Sequence, residues 1–276
     1  MRPLFVSMAA ITVLACAQSA SAWQCEFRAE RTGAIDTQGV QKIVLRTGAG
    51  DLKVQGRDGA RIEAKGDACA SSQALVDAVA ISVRREGSIA FVESVIPLEK
   101  LNKKEREGYA YIDLDITLPA NLPVEAEDSS GDAELSGLAA LTVRDSSGDL
   151  EIERVKGALD VQDSSGEVRI VDVGSLRLQD SSGDVRIERV AGAVEVVSDS
   201  SGDMLVRNVG GRLDIRQDSS GDIRAEDVRG SVFVGVDSSG SIYARNVAGD
   251  FTVETDGSGE IEHENVKGRV STPEYR

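Results

Sequence analysis

Seven copies of Asp-Ser-Ser-Gly, starting at Asp128, Asp145, Asp163, Asp180, Asp199, Asp218 and Asp237, are the one polar constellation in this chain that recurs in a pattern. A degenerate eighth copy reads Asp256-Gly257-Ser258-Gly259. In most copies an acid follows the glycine, as at Asp149, Glu167, Asp184, Asp203 and Asp222, and in one copy Ser241 replaces it. Repetition at a near-constant step would stack these acids in two columns along one edge. Carboxylates stacked one strand apart repel by about 1 kcal/mol per pair even at the dielectric of water. A hard cation would relieve that, and oxygen-rich corners suit Ca²⁺. Asp145, Asp149, Asp163, Asp180, Asp184, Asp199, Asp203, Asp218, Asp222 and Asp237 are thus the candidate metal ligands. The competing reading is structural and needs no cofactor. An Asp side chain accepts from amides one and two residues on, Ser hydroxyls satisfy corner carbonyls, and Gly supplies a positive φ. The nonapeptide pattern of calcium-binding rolls is absent, which favours the structural reading.

Paired carboxylates also perform glycosidic chemistry. Here every carboxylate has a near-equivalent one repeat away, so none forms a singular constellation, and no catalytic residue is assigned. His263, the one histidine, falls at a nominally inward position near the end of the repeats. A cap residue there is the expectation rather than a general base. Sugar-binding surfaces favour exposed aromatics. Phe233 and Tyr243 occupy outward positions in neighbouring repeats and are the candidate contact patch.

The elements that carry these residues follow from the spacing. The steps between successive copies are 17, 18, 17, 19, 19, 19 and 19 residues. Aligned on the turn glycine, the copies continue as Gly-Asp-h-x-h-x-x-h, with h mostly apolar. A second alternating stretch follows, as in Leu176/Leu178, Val194/Val196, Leu213/Ile215 and Val232/Val234. Alternation at period two means strands with one buried face, and the glycines mark corners. All length variation falls at the corners, where an insertion leaves each strand's inward set unchanged. A unit this short buries its apolar residues only by stacking on its neighbours. The expected fold is all-β: a single-chain β-solenoid (β-helix) of about eight 17–19-residue coils with an N-terminal cap region.

The region before the repeats is less regular. Thr47-Gly48-Ala49-Gly50-Asp51-Leu52-Lys53-Val54 reads as a diverged copy of the same unit. Ser71-Ser72 would cap a helix over 73–85, with a strand at 79–83 as the alternative. Strands are expected over 88–96 and 110–118, around a charged loop at 99–108. The organisation read from these signals is a signal peptide at 1–22, a cap with early coils at 23–127, and regular repeats at 128–276.

Arg2, the apolar run from Leu4 to Ala17, and Ala20-Ser21-Ala22 have the three parts of an export signal. A lipobox-like Val13-Leu14-Ala15-Cys16 offers lipoprotein processing as the less favoured alternative, and no transmembrane segment is expected in the mature chain. Cleavage at Ala22 leaves Cys25 and Cys69, and an even pair in an exported chain reads as one disulfide. The formal charge is −16, which argues against nucleic acid, since phosphate binding needs clustered Lys and Arg. Arg169, Arg186, Arg224 and Arg245 stand among acids at outward positions, where cross-strand pairing is their expected role.

The run Ile116-Thr117-Leu118-Pro119-Ala120-Asn121-Leu122-Pro123-Val124, leading into Asp128-Ser129-Ser130-Gly131-Asp132, resembles the bacterial putative-adhesin repeat family (domain of unknown function 4097). The later Ser-Gly-Asp-h-x-h and Val-x-Gly steps match too, and the resemblance covers roughly residues 40–270. It implies a β-solenoid in bacterial envelope or surface proteins and brings no functional residues with it. The function expected is an exported, non-catalytic scaffold or adhesion-type binding protein of the periplasm or cell surface. Its partner would be an envelope or surface component, protein or glycan. A carbohydrate-active enzyme on a parallel β-helix is the alternative.

Overall fold

A computed structural model describes residues 25–96 and 108–273. The expected signal peptide, the lipobox-like Cys16 and most of the expected charged loop lie outside the described residues. The described residues are all-β apart from one short helix. From Val124 onward it winds as about eight stacked coils, each with two strands that pair in parallel with their equivalents in the next coil. Val168–Ile170 pair with Val185–Ile187, and those with Met204–Val206. Leu176–Leu178 pair with Val194–Val196, and those with Leu213–Ile215. The extra residue of the longer coils is absorbed as a register shift between Leu178 and Gln179, beside the corner. The strands therefore keep register while the corner takes the insertion.

The core is built of columns of apolar side chains, one above another, three of which illustrate it. Ile170, Ile187 and Val206 form one, Leu178, Val196 and Ile215 a second, and Val173, Val190 and Val209 a third, all buried. Each is flanked by equivalents above and below, so the burial of each coil depends on its neighbours.

The early coils are threaded out of sequence order. Strands β2 (Lys42–Arg46) and β3 (Leu52–Arg57) form a coil stacked directly on β8 (Val124–Glu127) and β9 (Ala133–Ser136). The diverged Thr47–Asp51 segment is thus the first corner of the stack. On the other side of this coil, β6 (Ile89–Val95) pairs with β2, and β7 (Ala110–Pro119) with β3. Antiparallel strands then close the outer edge. β5 (Ala80–Glu86) covers β6, β4 (Arg61–Ala70) covers β7, and β1 (Phe27–Asp36) covers β4. Switching from parallel to antiparallel pairing ends the coil-on-coil stacking and covers the parallel edges of β6 and β7.

The segment after Ser72 combines both expectations. A helix, α1, spans Gln73–Ala78 with the Ser72 hydroxyl accepting from the Leu75 amide, and β5 follows at once. The Cys25–Cys69 disulfide is present and ties the residues before β1 to β4. No helix among the described residues is long and apolar enough to cross a membrane.

Candidate functional site

Each Asp-Ser-Ser-Gly-Asp corner splits into parts with different surroundings. The first Asp points inward. Leu176, Leu178 and Asp180 share one parity along the strand, and Asp180 is 1% exposed. Asp128, Asp145, Asp163, Asp199, Asp218 and Asp237 are buried likewise. Contrary to expectation, the two acidic columns therefore do not share one edge. In the shorter coils strand alternation carries this carboxylate inside. In the longer coils, where Asp199 stands three residues after Val196, the extra corner residue breaks the parity and the carboxylate is still buried. The expected local bonds form, since Ser146 N–H donates to Asp145 Oδ1 at 2.8 Å and Ser239 N–H to Asp237 Oδ1 at 3.1 Å.

The second Ser reaches sideways. Ser147, Ser182 and Ser239 donate their hydroxyls to the carbonyls of Ser129, Ser164 and Ser219 in the preceding coil, at 3.1–3.2 Å. The glycine permits the close approach. Gly183 has φ +130, and a Cβ there would lie 1.7 Å from the Gly166 carbonyl oxygen of the coil before. The final Asp faces solvent and links coils. Asp203 N–H donates to Asp184 Oδ1 and Asp222 N–H to Asp203 Oδ1, both at 3.0 Å, and Ser241 N–H to Asp222 Oδ1 at 2.8 Å. Asp149 likewise accepts from the Glu167 amide at 2.9 Å.

The ten candidate metal ligands thus divide. Asp149, Asp184, Asp203 and Asp222 are outside with an oxygen engaged by an amide. Asp145, Asp163, Asp180, Asp199, Asp218 and Asp237 are inside. Among the described residues no three acidic or other ligating groups converge in a cage for a metal.

Burial sets the electrostatics of the inner column. It pushes the Asp145, Asp199 and Asp237 carboxyls up to about 6, with the neighbouring carboxylates Asp128, Asp180 and Asp256 respectively adding to the effect. Asp218, between Asp199 and Asp237, is raised to about 7, again by burial first. Asp163 is raised to about 7 by burial, by the charges of Asp180 and Asp145, and by a hydrogen bond it shares with Asp180. Removal from water penalises the charged form, and like charges add to the penalty.

The outward columns hold ion pairs. Arg169 lies 3.1 Å from Glu151, Arg177 2.7 Å from Glu195, and Glu226 sits between Arg207 at 3.1 Å and Arg245 at 3.4 Å. The exposed pairs of Arg169 and Arg177 contribute little individually, whereas Glu226 is buried between its two arginines. Phe233 and Tyr243 are not brought together as one patch. Phe233 stands in the ladder of Asp214 and Thr252, whereas Tyr243 stands in that of Arg224 and Glu262, across the corner. Each lies under an arginine, Phe233 under Arg216 and Tyr243 under Arg224. His263, nominally inward by position and expected as a cap residue, is exposed at the end of its column, where no further coil among the described residues covers it, and its ring meets Phe251 edge-on at 6.1 Å.

Two features escape the sequence pattern. One is a second corner at which Arg154, Asp172, Arg189, Asn208, Asp227, Asn246 and Asn265 all take φ between +54 and +59. Asn and Asp tolerate that conformation, and their recurrence just before the third inward residue was the available signal. The other is a groove where the antiparallel cap meets the first coils. It is lined by Glu30, Asp67, Asp113, Asp115 and Glu134 together with Lys53 and Lys65. Asp113 Oδ1 accepts from the Asp51 amide at 3.0 Å, and Lys53 holds Glu134 at 2.5 Å.

A capped β-solenoid with acidic corners that bond coil to coil defines the structural class. The chain belongs to the Toastrack family, domain of unknown function 4097, whose sequence profile matches residues 40–271. Crystal structures with some likeness include a putative adhesin from Bacteroides fragilis, at 18% identity over 89% of this chain and 97% of that one, with a TM-score of 0.29. A putative adhesin from Parabacteroides merdae matches at 10% identity over 89% and 96%, with a TM-score of 0.36. A putative cell adhesion protein from Clostridium sporogenes matches at 12% over 89% and 99%, with a TM-score of 0.27. No match is found among curated proteins.

Proposed function

We propose that this chain is an exported, non-catalytic scaffold of the bacterial envelope with an adhesion-type binding surface. The observation that carries the reading is the composition of the outward faces. Ion pairs link neighbouring coils there at Arg169–Glu151, Arg177–Glu195 and Arg207–Glu226, and the corner acids are engaged in holding coils together. A surface of repeated, individually weak contacts binds through multiplicity. The Cys25–Cys69 bridge supports an oxidising compartment. The partner is a protein or glycan of the envelope or cell surface.

The enzyme alternative has one observation in its favour, the irregular groove between cap and solenoid. Its carboxylates include groups already bonded to an amide or a lysine, which supports a contact surface over an acid–base pair. The test is photo-crosslinking in the native envelope from two positions, Asp67 in the groove and Arg186 on the solenoid face. A defined adduct from one position and not the other supports the reading. An intact mature chain that forms no adduct from either position counts against adhesion. Release of oligosaccharide from envelope glycans, lost in Asp115→Asn, would replace the reading with the enzyme.

A further inference from the structure

We propose that the inner aspartates form a proton-sharing ladder, in which a carboxylic acid of one coil donates to the carboxylate of the next, and that this makes the cohesion of the solenoid pH-dependent. The geometry leaves these groups short of donors. Asp145 Oδ2, Asp199 Oδ2 and Asp218 Oδ1 are buried with no donor, and the buried carboxyls of Asp163 and Asp180 face each other as two acceptors. An unmet buried acceptor is costly, and an unpaired buried charge more so. Coils about 4.8 Å apart put successive carboxyl groups within reach of an O–H···O⁻ bond of about 2.6 Å. One proton placed between two acids supplies the missing donor and removes one charge.

The charged groups facing the ladder from the packed elements are themselves acids. They are Asp51 and Asp132 at its start, Asp184 and Asp222 along the outer corner, and Asp256 at its far end. Among the described residues no lysine, arginine or histidine forms an ion pair with any inner aspartate. Among the described residues the neutral side-chain donor bonded to an inner aspartate is Thr47, at the first corner, on Asp128. The raised carboxyls of Asp163 and Asp218 agree with this arrangement.

The sign of the pH effect follows. A carboxyl held above its unfolded value binds more protons when folded, so its contribution is fully present below about pH 4 and lost as pH rises through about 6 to 7. Glu125, lowered by Lys42, and Asp172, lowered by Arg189, act in the opposite sense, and their contribution is lost only under more acid conditions. Melting between pH 5 and 8 therefore isolates the ladder.

The experiment is thermal melting of the mature chain against pH, for wild type and for Asp180→Asn/Asp218→Asn, with an infrared measurement of the protonated-carboxyl C=O stretch at pH 6. Wild type is expected to melt about 5 °C or more lower at pH 8 than at pH 5. The double variant, whose amides donate without a proton, should lose at least half of that difference. The protonated-carboxyl band should be present in wild type and weaker in the variant. A flat or rising wild-type profile, or absence of the band, overturns the proposal whether or not the variant folds. So does calcium restoring the pH 8 melting temperature while remaining bound through gel filtration, since a cation would then occupy the ladder.

Discussion

The Thr47 hydroxyl donates to the carboxylate of Asp128, across 81 residues of sequence. Thr47 occupies the position that an aspartate takes in each Asp-Ser-Ser-Gly corner, in the coil on which the Asp128 coil stacks. The acidic column therefore ends on a neutral donor at its capped side, and Thr47 opposes the effect of burial on the Asp128 carboxyl. Replacing it with valine keeps the shape and removes the bond, leaving one more buried acceptor unmet. Thr47→Val should cost about 1–3 kcal/mol by denaturant unfolding, and more at pH 8 than at pH 5. Equal losses at the two pH values would mean that the threonine matters for packing alone.

Gly183 approaches Gly166 so closely that no side chain fits, and its φ of +130 is one that L residues avoid. Gly183→Ala should destabilise by well over about 1 kcal/mol, because strain and steric displacement act together. Gly87 has φ +59 with open space around it, so Gly87→Asn should change stability by less than about 1 kcal/mol. Comparable melting of the two variants would show that the corners relax more easily than their backbone contacts imply.

The solenoid was legible because its signals are local. Period-two alternation, corner glycines and length variation confined to the corners all report the same strands. The destination of the inner aspartates was less legible, although Leu176, Leu178 and Asp180 share a parity. Aspartate's preference for solvent competes with burial at the corner, and packing of successive coils decides for burial even where an extra residue breaks the parity, as between Val196 and Asp199. The placement of Phe233 and Tyr243 failed for a related reason. Outwardness is a property of each strand, and two outward residues on opposite sides of a corner face different ways. The order of the early coils lay beyond local signals altogether, since β6 and β7 join the stack outside β2 and β3 through pairings distant in sequence.

The left-handed corner separates residues that accept that conformation from residues forced into it. Asn246 at φ +57 donates to Asp227 at 2.8 Å and accepts from Asn265 at 2.7 Å. Asn246→Val would place a β-branched side chain in a region hostile to it and break both bonds, for an expected loss of about 2 kcal/mol or more. Arg154 adopts φ +57 with an exposed side chain. Arg154→Asn should therefore be neutral or slightly stabilising by chemical denaturation. A loss at Arg154 matching that at Asn246 would mean that side-chain bonds, rather than backbone conformation, hold this corner.

The disulfide should govern the cap and leave the distant coils nearly untouched. Cys69 lies on β4 opposite Arg28 of β1, and Cys25 lies just before that strand. The bridge thus pins β1 at the end where it would otherwise fray from β4. It closes a segment of 44 residues, for which the chain-entropy description gives about 4 kcal/mol. In a stacked array, stability is carried by each unit and its neighbours, so loss of this constraint should be felt first at β1 and β4. Reduction, or Cys25→Ser/Cys69→Ser, should speed amide exchange in 27–36 and 61–70 well before the coils beyond Asp180 respond. The antiparallel cap protects the parallel edges of β6 and β7, so a frayed cap should also raise concentration-dependent association. Uniform loss of protection along the chain would show instead that cap and solenoid unfold as one cooperative unit.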